Sequence, residues 1–198
     1  TMVIAFRDQS RADDSRLASF IEQQQPLFVL TGAGCSTASG IPDYRDERGE
    51  WKHRKPVQFQ DFRDDELTRK RYWARSMLGW PHISNARPAI SHLTLCTLER
   101  AGLIQHLVTQ NVDGLHQKAG SEKVLDLHGN LQTVTCLSCK YQLSRPCLQR
   151  QLIEANPDFD EICKVMAPDG DARLESMNFS TFNIIPCPSC GDILKPDV

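Results

Sequence analysis

Leu27-Phe28-Val29-Leu30-Thr31-Gly32-Ala33-Gly34-Cys35-Ser36-Thr37-Ala38-Ser39-Gly40 is the stretch that decides the fold. Four apolar residues in a row read as a buried strand, and the glycines that follow without a gap mark a tight turn into a helix start. Strand, glycine-rich turn and helix start together open an α/β unit of the nucleotide-binding kind, because glycines carry no Cβ to keep backbone amides away from a pyrophosphate. The loop departs from two common phosphate-binding patterns. A hydride-transfer site has G-x-G-x-x-G and an acidic residue about twenty positions on; here position 37 is Thr, and Trp51 and Lys52 stand where the acid belongs. The P-loop lysine is absent too.

Before this stretch, Leu17, Phe20 and Ile21 fall at helical spacing in a polar segment that ends at Pro26. After it, residues 41–56 are polar, with Pro42 and Gly49, and read as a long functional loop. Helices are expected over Glu66–Leu78 and over Pro88–Ala101, the second closed by Gly102. Ile104–Thr109 and Val124–His128 read as the next strands, so alternating strands and helices predict a doubly wound parallel sheet. From Thr133 the pattern changes to paired cysteines, a helix near Leu148–Ala155, an Asp/Pro/Gly-rich stretch at Ala167–Asp171 and more paired cysteines. That region reads as an insertion, and Ile193–Val198 lead toward a further strand.

Composition narrows the function classes. Lys+Arg number 23 against 25 Asp+Glu, for a net charge of -2, so the overall field does not attract a phosphate backbone and no nucleic-acid partner is expected. No apolar run approaches the ~18 residues of a membrane-spanning helix, and no membrane role is expected. Eight cysteines would make a disulfide framework in a short secreted chain, but the apolar Met2–Phe6 segment is too short for a signal sequence. Arg7, Arg11 and Arg16 are matched by Asp8, Asp13 and Asp14, unlike an acid-poor presequence. A cytoplasmic location is expected, or the mitochondrial matrix for a processed eukaryotic chain.

The sharpest spacing signal is Cys136-x-x-Cys139 with Cys187-x-x-Cys190. Each pair can present two thiolates to one tetrahedral ion, and four soft sulfur ligands suit Zn²⁺. The gap between the pairs is far wider than the ~15–20 residues of a compact ribbon, so an intervening subdomain must bring them together. A site closed by four cysteines has no open position, which makes the metal structural. Cys35, Cys96, Cys147 and Cys163 read as small buried hydrophobes, with Cys35 in the glycine loop within reach of oxidants.

Three further motifs stand in order around the glycine loop: Gly40-Ile41-Pro42-Asp43-Tyr44-Arg45, Thr109-Gln110-Asn111-Val112-Asp113-Gly114-Leu115-His116 and Leu127-His128-Gly129. With the two cysteine pairs, this set resembles the sirtuins from about residue 15 to the C-terminus. Arg71-Tyr72-Trp73-Ala74-Arg75, Ala167-Pro168-Asp169-Gly170-Asp171 and Leu194-Lys195-Pro196-Asp197-Val198 are similar to the class II group, which includes bacterial members.

The resemblance implies a Rossmann-like large domain with an inserted zinc-binding small domain. Residues 1–132 would be the N-terminal part of the NAD-binding domain, 133–192 the small domain, and 193–198 the return to the large domain, whose C-terminal half the chain does not contain. It implies NAD⁺ consumed as a co-substrate and acyl-lysine proteins or peptides as partners: the acyl oxygen attacks C1′ of the nicotinamide ribose, and nicotinamide, free lysine and O-acyl-ADP-ribose result. His128 would be the general base on a ribose hydroxyl, a task suited to an ordinary histidine pKa near 6.5. Gly32, Ala33 and Gly34 would cradle the pyrophosphate, with Arg45 reaching toward phosphate or ribose. Tyr44 stands where the family usually has Phe. Gln110 and Asn111 would hold the nicotinamide ribose and an ordered water, Asp113 would accept the carboxamide N–H, and Asp43 and Val112 complete the NAD⁺ set. Tyr72 and Arg75, three apart on one helix face, match a pair that reads acidic acyl groups; the competing reading is a solvated basic face. A mono-ADP-ribosyltransferase using the same site, and a zinc-stapled ADP-ribose or protein-binding module without turnover, remain as alternatives.

Overall fold

Strand β1 (Leu27–Thr31) pairs in parallel with β2 (Ile104–Thr109), and β2 in parallel with β3 (Val124–Asp126). This is a computed structural model that describes residues 14–43, 57–157, 159 and 178–198. The register sets Thr31 opposite Thr109 and Thr109 opposite Asp126. The three strands therefore finish level, and the loops that leave them share one carboxyl edge, the place where open parallel sheets bind ligands.

The central strand β2 supplies the sheet's core through Ile104, Leu107 and Val108. Helix α1 (14–24) precedes β1. Phe28 and Leu30, expected to be buried on both sides of β1, are 68% and 57% exposed. Leu125, in register with Leu30 through Val108, is exposed as well, whereas Val108 on the central strand is buried.

The glycine loop differs from the expected helix start. It forms two 3-10 turns, Ala33–Cys35 and Thr37–Ser39, and reverses at Gly40, whose φ of 83° is in the left-handed region. Gly, Ser and Thr hold α-helix poorly, and the Thr37 hydroxyl donates instead to the Gly34 carbonyl.

Helices α2 (Phe59–Asp64) and α3 (Glu66–Asn85) follow. The Asp65 carboxylate caps α3, accepting the backbone N–H groups of Leu67 and Thr68. The expected end near Leu78 is overrun by two turns, through Pro81. Proline at 81 removes the donor that would meet the Met77 carbonyl, and Gln149 supplies the replacement through its Nε2 at 2.8 Å. A side chain from a distant helix thus repairs the break.

Helix α4 (Ile90–Arg100) turns His92, Cys96 and Glu99 inward at helical spacing. Glu99 accepts the N–H groups of Glu122 and Lys123, tying α4 to the entry of β3. Short α5 (Leu115–Ala119) packs on α4. Neither α2 nor α5 has a signal in the sequence pattern.

A second sheet is antiparallel, with order β5 (Gln142–Ser144), β4 (Asn130–Cys136), β6 (Leu194–Asp197). The strand expected toward the end of 193–198 forms as β6 and lies along β4, with Cys136 opposite Leu194 and Asn130 opposite Asp197. Leu194 is 2% exposed in the core there, and this burial fixes the pairing. The sheet packs with α6 (Arg145–Ala155) and with α2 and α3 around Phe62, Trp73, Met77, Leu148, Leu152 and Phe182.

Arg145, 1% exposed, binds α6 to α3 with no carboxylate partner among the described residues. Its guanidinium donates to the Ser76 carbonyl, the Ser76 hydroxyl and Gln149 Oε1. It also stacks 4.8 Å from the Trp80 ring and 5.7 Å from that of Trp73. Burial pulls its pKa down to about 10, which still leaves it charged at neutral pH.

Gly129 joins the two sheets. Its φ is 81°, and a Cβ there would run into the backbone carbonyl of Asp197 on β6. The obstacle is backbone and cannot swing aside. Gly129→Ala is expected to cost about 2–4 kcal/mol from left-handed strain plus overpacking. Urea unfolding checks this, and a shift under about 0.5 kcal/mol would contradict the close approach.

Candidate active site

The level strand ends gather three loops, and hydrogen bonds lock them together. Thr31 and Thr109 close β1 and β2, and the N–H of Gln110 donates to the Thr31 carbonyl. Thr109 also accepts the Asn111 N–H on its hydroxyl, and its carbonyl accepts the Leu127 N–H as β3 ends.

Ser36 is the hub beneath the glycine loop. Its hydroxyl, 1% exposed with its residue, donates to Asp113 Oδ2 at 2.7 Å and accepts Asn111 Nδ2 at 3.0 Å. Asn111 Nδ2 also donates to the Gly32 carbonyl, so both its hydrogens are spent holding the loop and only Oδ1 is left for a ligand. Asp113 is 8% exposed and accepts the Leu115 N–H on Oδ1. A carboxylate has about four acceptor sites, so Asp113 can still take a ligand N–H. It lines a cavity of 480 Å³ with Trp80, Ser84, Gly114, Lys118 and Asn130.

His128 leaves β3 exposed to solvent. Its Nδ1 lies 3.2 Å from the Gln110 carbonyl, which can only accept. The proton of the neutral ring is therefore on Nδ1, and Nε2 is the free acceptor, the arrangement of a general base. Asp126, the last residue of β3, receives Gln117 Nε2 and Asn130 Nδ2 and holds the turn that carries His128.

Sequence reasoning missed the pair of histidines behind the loop. His92 Nδ1 accepts the Ala89 N–H at 3.1 Å, and its Nε2 is 3.5 Å from Ser36 Oγ. His116 Nε2 meets Thr31 Oγ1 at 2.9 Å. The two rings lie 4.7 Å apart. The sequence signal was their placement, His92 three residues into a helix and His116 inside the second loop motif. Burial lowers the pKa of both, that of His116 to about 4, with His92 adding to the depression. Between pH 6.5 and 4 the unfolded chain takes up a proton at position 116 that the folded chain does not. Stability is therefore expected to fall as pH drops through that window, by on the order of 2–3 kcal/mol. Urea midpoints at pH 7 and pH 4.5 test this, with His116→Gln flattening the slope; equal slopes in both proteins would contradict it.

Of the other residues singled out, Gly32, Ala33 and Gly34 lie in the loop over Asn111, and neither Gly32 nor Gly34 has a neighbour where a Cβ would point. Val112 accepts the Leu131 N–H through its carbonyl. Asp43 ends the described segment that follows the loop, while Tyr44, Arg45, Cys163 and Ala167–Asp171 lie outside the described residues. Tyr72 is half-buried, edge-on to Phe62 at 5.2 Å and to Trp73 at 5.4 Å, and Arg75 is half-buried on the same helix. The neighbouring cations are engaged: Arg69 donates to the Phe62 and Arg63 carbonyls, Lys70 to the Ser180 carbonyl, and Arg71 lies over the Phe179 ring. Arg69, Lys70 and Arg75 are half-buried, while Arg71 is exposed.

The four knuckle cysteines converge. Cys136 and Cys190 sulfurs are 3.5 Å apart, Cys139 and Cys187 sulfurs 3.6 Å, and all four lie within 4.8 Å of one another. Four Zn–S bonds of ~2.3 Å put sulfurs about 3.8 Å apart, so the set fits a structural Zn²⁺. The Tyr141 N–H helps pull Cys139 down to about 6. At Cys190 the Asp192 N–H favours the thiolate, yet bonding to Cys139 and Cys136 pushes it up to about 12. Crowded sulfurs resist a second ionisation, and a divalent cation removes that resistance. Cys96 is buried as expected, whereas Cys35 and Cys147 are partly exposed.

The model of the Sir2 family matches residues 32–198. An NAD-dependent protein deacetylase of Xanthomonas axonopodis pv. citri is 52% identical over 186 residues, 94% of this chain and 64% of that protein. One of Bordetella bronchiseptica is 51% identical over 191 residues, 96% of this chain and 70% of that protein. Among solved structures, Sir2Tm bound to a propionylated peptide superposes with a TM-score of 0.65 at 27% identity, covering 93% of this chain and 62% of that one. A mutant Sir2 homologue in complex with ADP ribose gives a TM-score of 0.64 at 30% identity, covering 92% of this chain and 61% of that one. The chain thus spans a little under two thirds of the Xanthomonas protein and of both solved chains. The glycine loop, the Gln110–Asp113 segment, His128 and the four-cysteine cluster occur together in a chain that belongs to the Sir2 family.

Proposed function

We propose that the chain carries the catalytic face of an NAD⁺-dependent protein-lysine deacylase. The carrying observation is His128, held at the sheet's carboxyl edge with Nδ1–H on Gln110 and Nε2 free to accept a proton. Curated relatives named NAD-dependent protein deacetylases, at about half identity, support the reading.

In this reading Gly32, Ala33 and Gly34 face the pyrophosphate of NAD⁺, with Asp43, Tyr44 and Arg45 following along the same bound molecule. Gln110 and Val112 flank the ribose, Asn111 keeps the loop in place and offers Oδ1, and Asp113 takes the carboxamide N–H. NAD⁺, when bound, would supply the ribose C1′ that takes the acyl oxygen as nicotinamide leaves, and the ribose hydroxyl that finally carries the acyl group. His128 Nε2 removes a ribose hydroxyl proton, and the Gln110 carbonyl stabilises the imidazolium that results. Zinc has no place in the chemistry, since four thiolates close its coordination.

Nicotinamide release tests the reading, measured with acetyl-, succinyl- and methylglutaryl-lysine peptides on the chain alone and fused to the C-terminal third of the Xanthomonas relative. Acyl-dependent release is expected. Release without acyl dependence favours ADP-ribosyl transfer, and none from a folded, zinc-loaded protein favours a binding module. The half-buried Arg75 is read as selecting acidic acyl groups, so Arg75→Met is expected to lower kcat/KM at least tenfold on succinyl- and methylglutaryl-lysine and under twofold on acetyl-lysine. Equal loss on all three would remove Arg75 from substrate selection.

A further inference from the structure

Cys35, His92 and His116 present one sulfur and two imidazole nitrogens within 4.8 Å of one another, on the inner side of the glycine loop. Three separate elements supply them: the first 3-10 turn, α4 and α5. Both histidines are fully buried, at 0% and 1% exposure, and Cys35 is partly exposed. His116 Nδ1 is enclosed and has no hydrogen-bond partner. An orphaned buried acceptor calls for an occupant, and a thiolate with two imidazoles is a zinc-type donor set.

We propose that Cys35, His92 and His116 form a second Zn²⁺ site, distinct from the four-cysteine cluster, that pins the glycine loop onto α4 and α5. Thr31 Oγ1 lies 2.9 Å from His116 Nε2 and can accept its proton, which leaves Nδ1 as the ligand nitrogen when a metal binds.

Two rearrangements accompany binding. The Cys35 thiol, which donates to Ser91 Oγ at 3.3 Å, loses its proton to solvent. His92 binds through Nε2, so its contact with Ser36 Oγ is given up, its ring proton moves to Nδ1 and the bond from the Ala89 N–H is lost. The ligand atoms must also draw together, since Zn–N and Zn–S bonds of ~2.0–2.3 Å need spacings below 4.8 Å. These costs make the site weaker than the four-cysteine cluster and leave a fourth position for water. Cys35 belongs to the loop assigned to the pyrophosphate, so an occupied site stiffens that loop.

The test reads binding, so it stands apart from the proposed reaction. Chain carrying one equivalent of Zn²⁺ is titrated with Co²⁺, and absorption is followed in the thiolate charge-transfer and tetrahedral d–d regions. A second equivalent with both signatures is expected, lost in Cys35→Val and kept in Cys147→Ala. As a second measurement on the unaltered chain, a second equivalent of Zn²⁺ is expected to slow alkylation of Cys35 at least fivefold and to leave Cys147 unchanged. A second equivalent that never binds, a signal that survives Cys35→Val, or equal alkylation of Cys35 in both states overturns the proposal.

Discussion

Cys187→Ser is expected to leave the chain without its structural zinc and to lower the thermal midpoint by roughly 10 °C. Cys187 is 2% exposed and belongs to the same buried cluster as Val134, Leu143 and Leu194. Its N–H donates to the Asp192 carbonyl, and its carbonyl accepts the Gly191 N–H, so the residue is both ligand and turn. Serine binds zinc poorly because a hydroxyl stays protonated where a thiol ionises. The remaining three ligands then retain too little of the ~10–16 kcal/mol that a complete structural site contributes. A loss of about 4 kcal/mol corresponds to roughly 8–16 °C for a chain of this size. Metal analysis after dialysis gives the stoichiometry and calorimetry the midpoint. A variant that keeps one zinc per chain and an unchanged midpoint would refute a structural role. The effect should be felt beyond the knuckles, since β4 links Cys136 at one end to Asn130, two residues from His128, at the other.

His128→Tyr is expected to reduce acyl-dependent nicotinamide turnover by roughly 10²–10⁴-fold, the range typical of losing a general base. The phenol is protonated at neutral pH and cannot accept the proton. His128 is exposed, and its one described hydrogen bond is to a carbonyl of an exposed residue, so the fold should hardly register the change. An unchanged unfolding midpoint with lost turnover identifies a chemical role. Full turnover in the variant would place the proton acceptor elsewhere, and equal loss of stability and turnover would make His128 structural.

The strands that carry the site were legible from the residues. Leu27–Leu30 is a short apolar run just before a glycine, and Ile104–Thr109 follows Gly102 with Ile104, Leu107 and Val108; short length, flanking glycines and β-branched residues favour strands in both. The cysteine knuckles were legible too, since metal ligation needs soft donors at close spacing. Local propensity misled at α3, where a distant contact prevails. α3 passes through Pro81 because Gln149, across the molecule, takes the Met77 carbonyl. β6 joins β4 because Leu194 is buried there, something a four-residue segment cannot encode by itself.

The sequence by itself determined the order of the motifs, the parallel α/β opening and a four-cysteine set suited to zinc, which rest on periodicity, backbone freedom and donor chemistry acting over a few residues; His128 as the acid–base candidate is what the family resemblance implies. Only the tertiary structure decided that Asn111 spends its amide on the glycine loop, that His128 holds its proton on Nδ1, and that Cys35, His92 and His116 meet. Those outcomes depend on the parallel register, which aligns Thr31, Thr109 and Asp126 although they lie far apart in the chain. Hydrogen-bond partners follow from distance in space, and no local pattern records that distance.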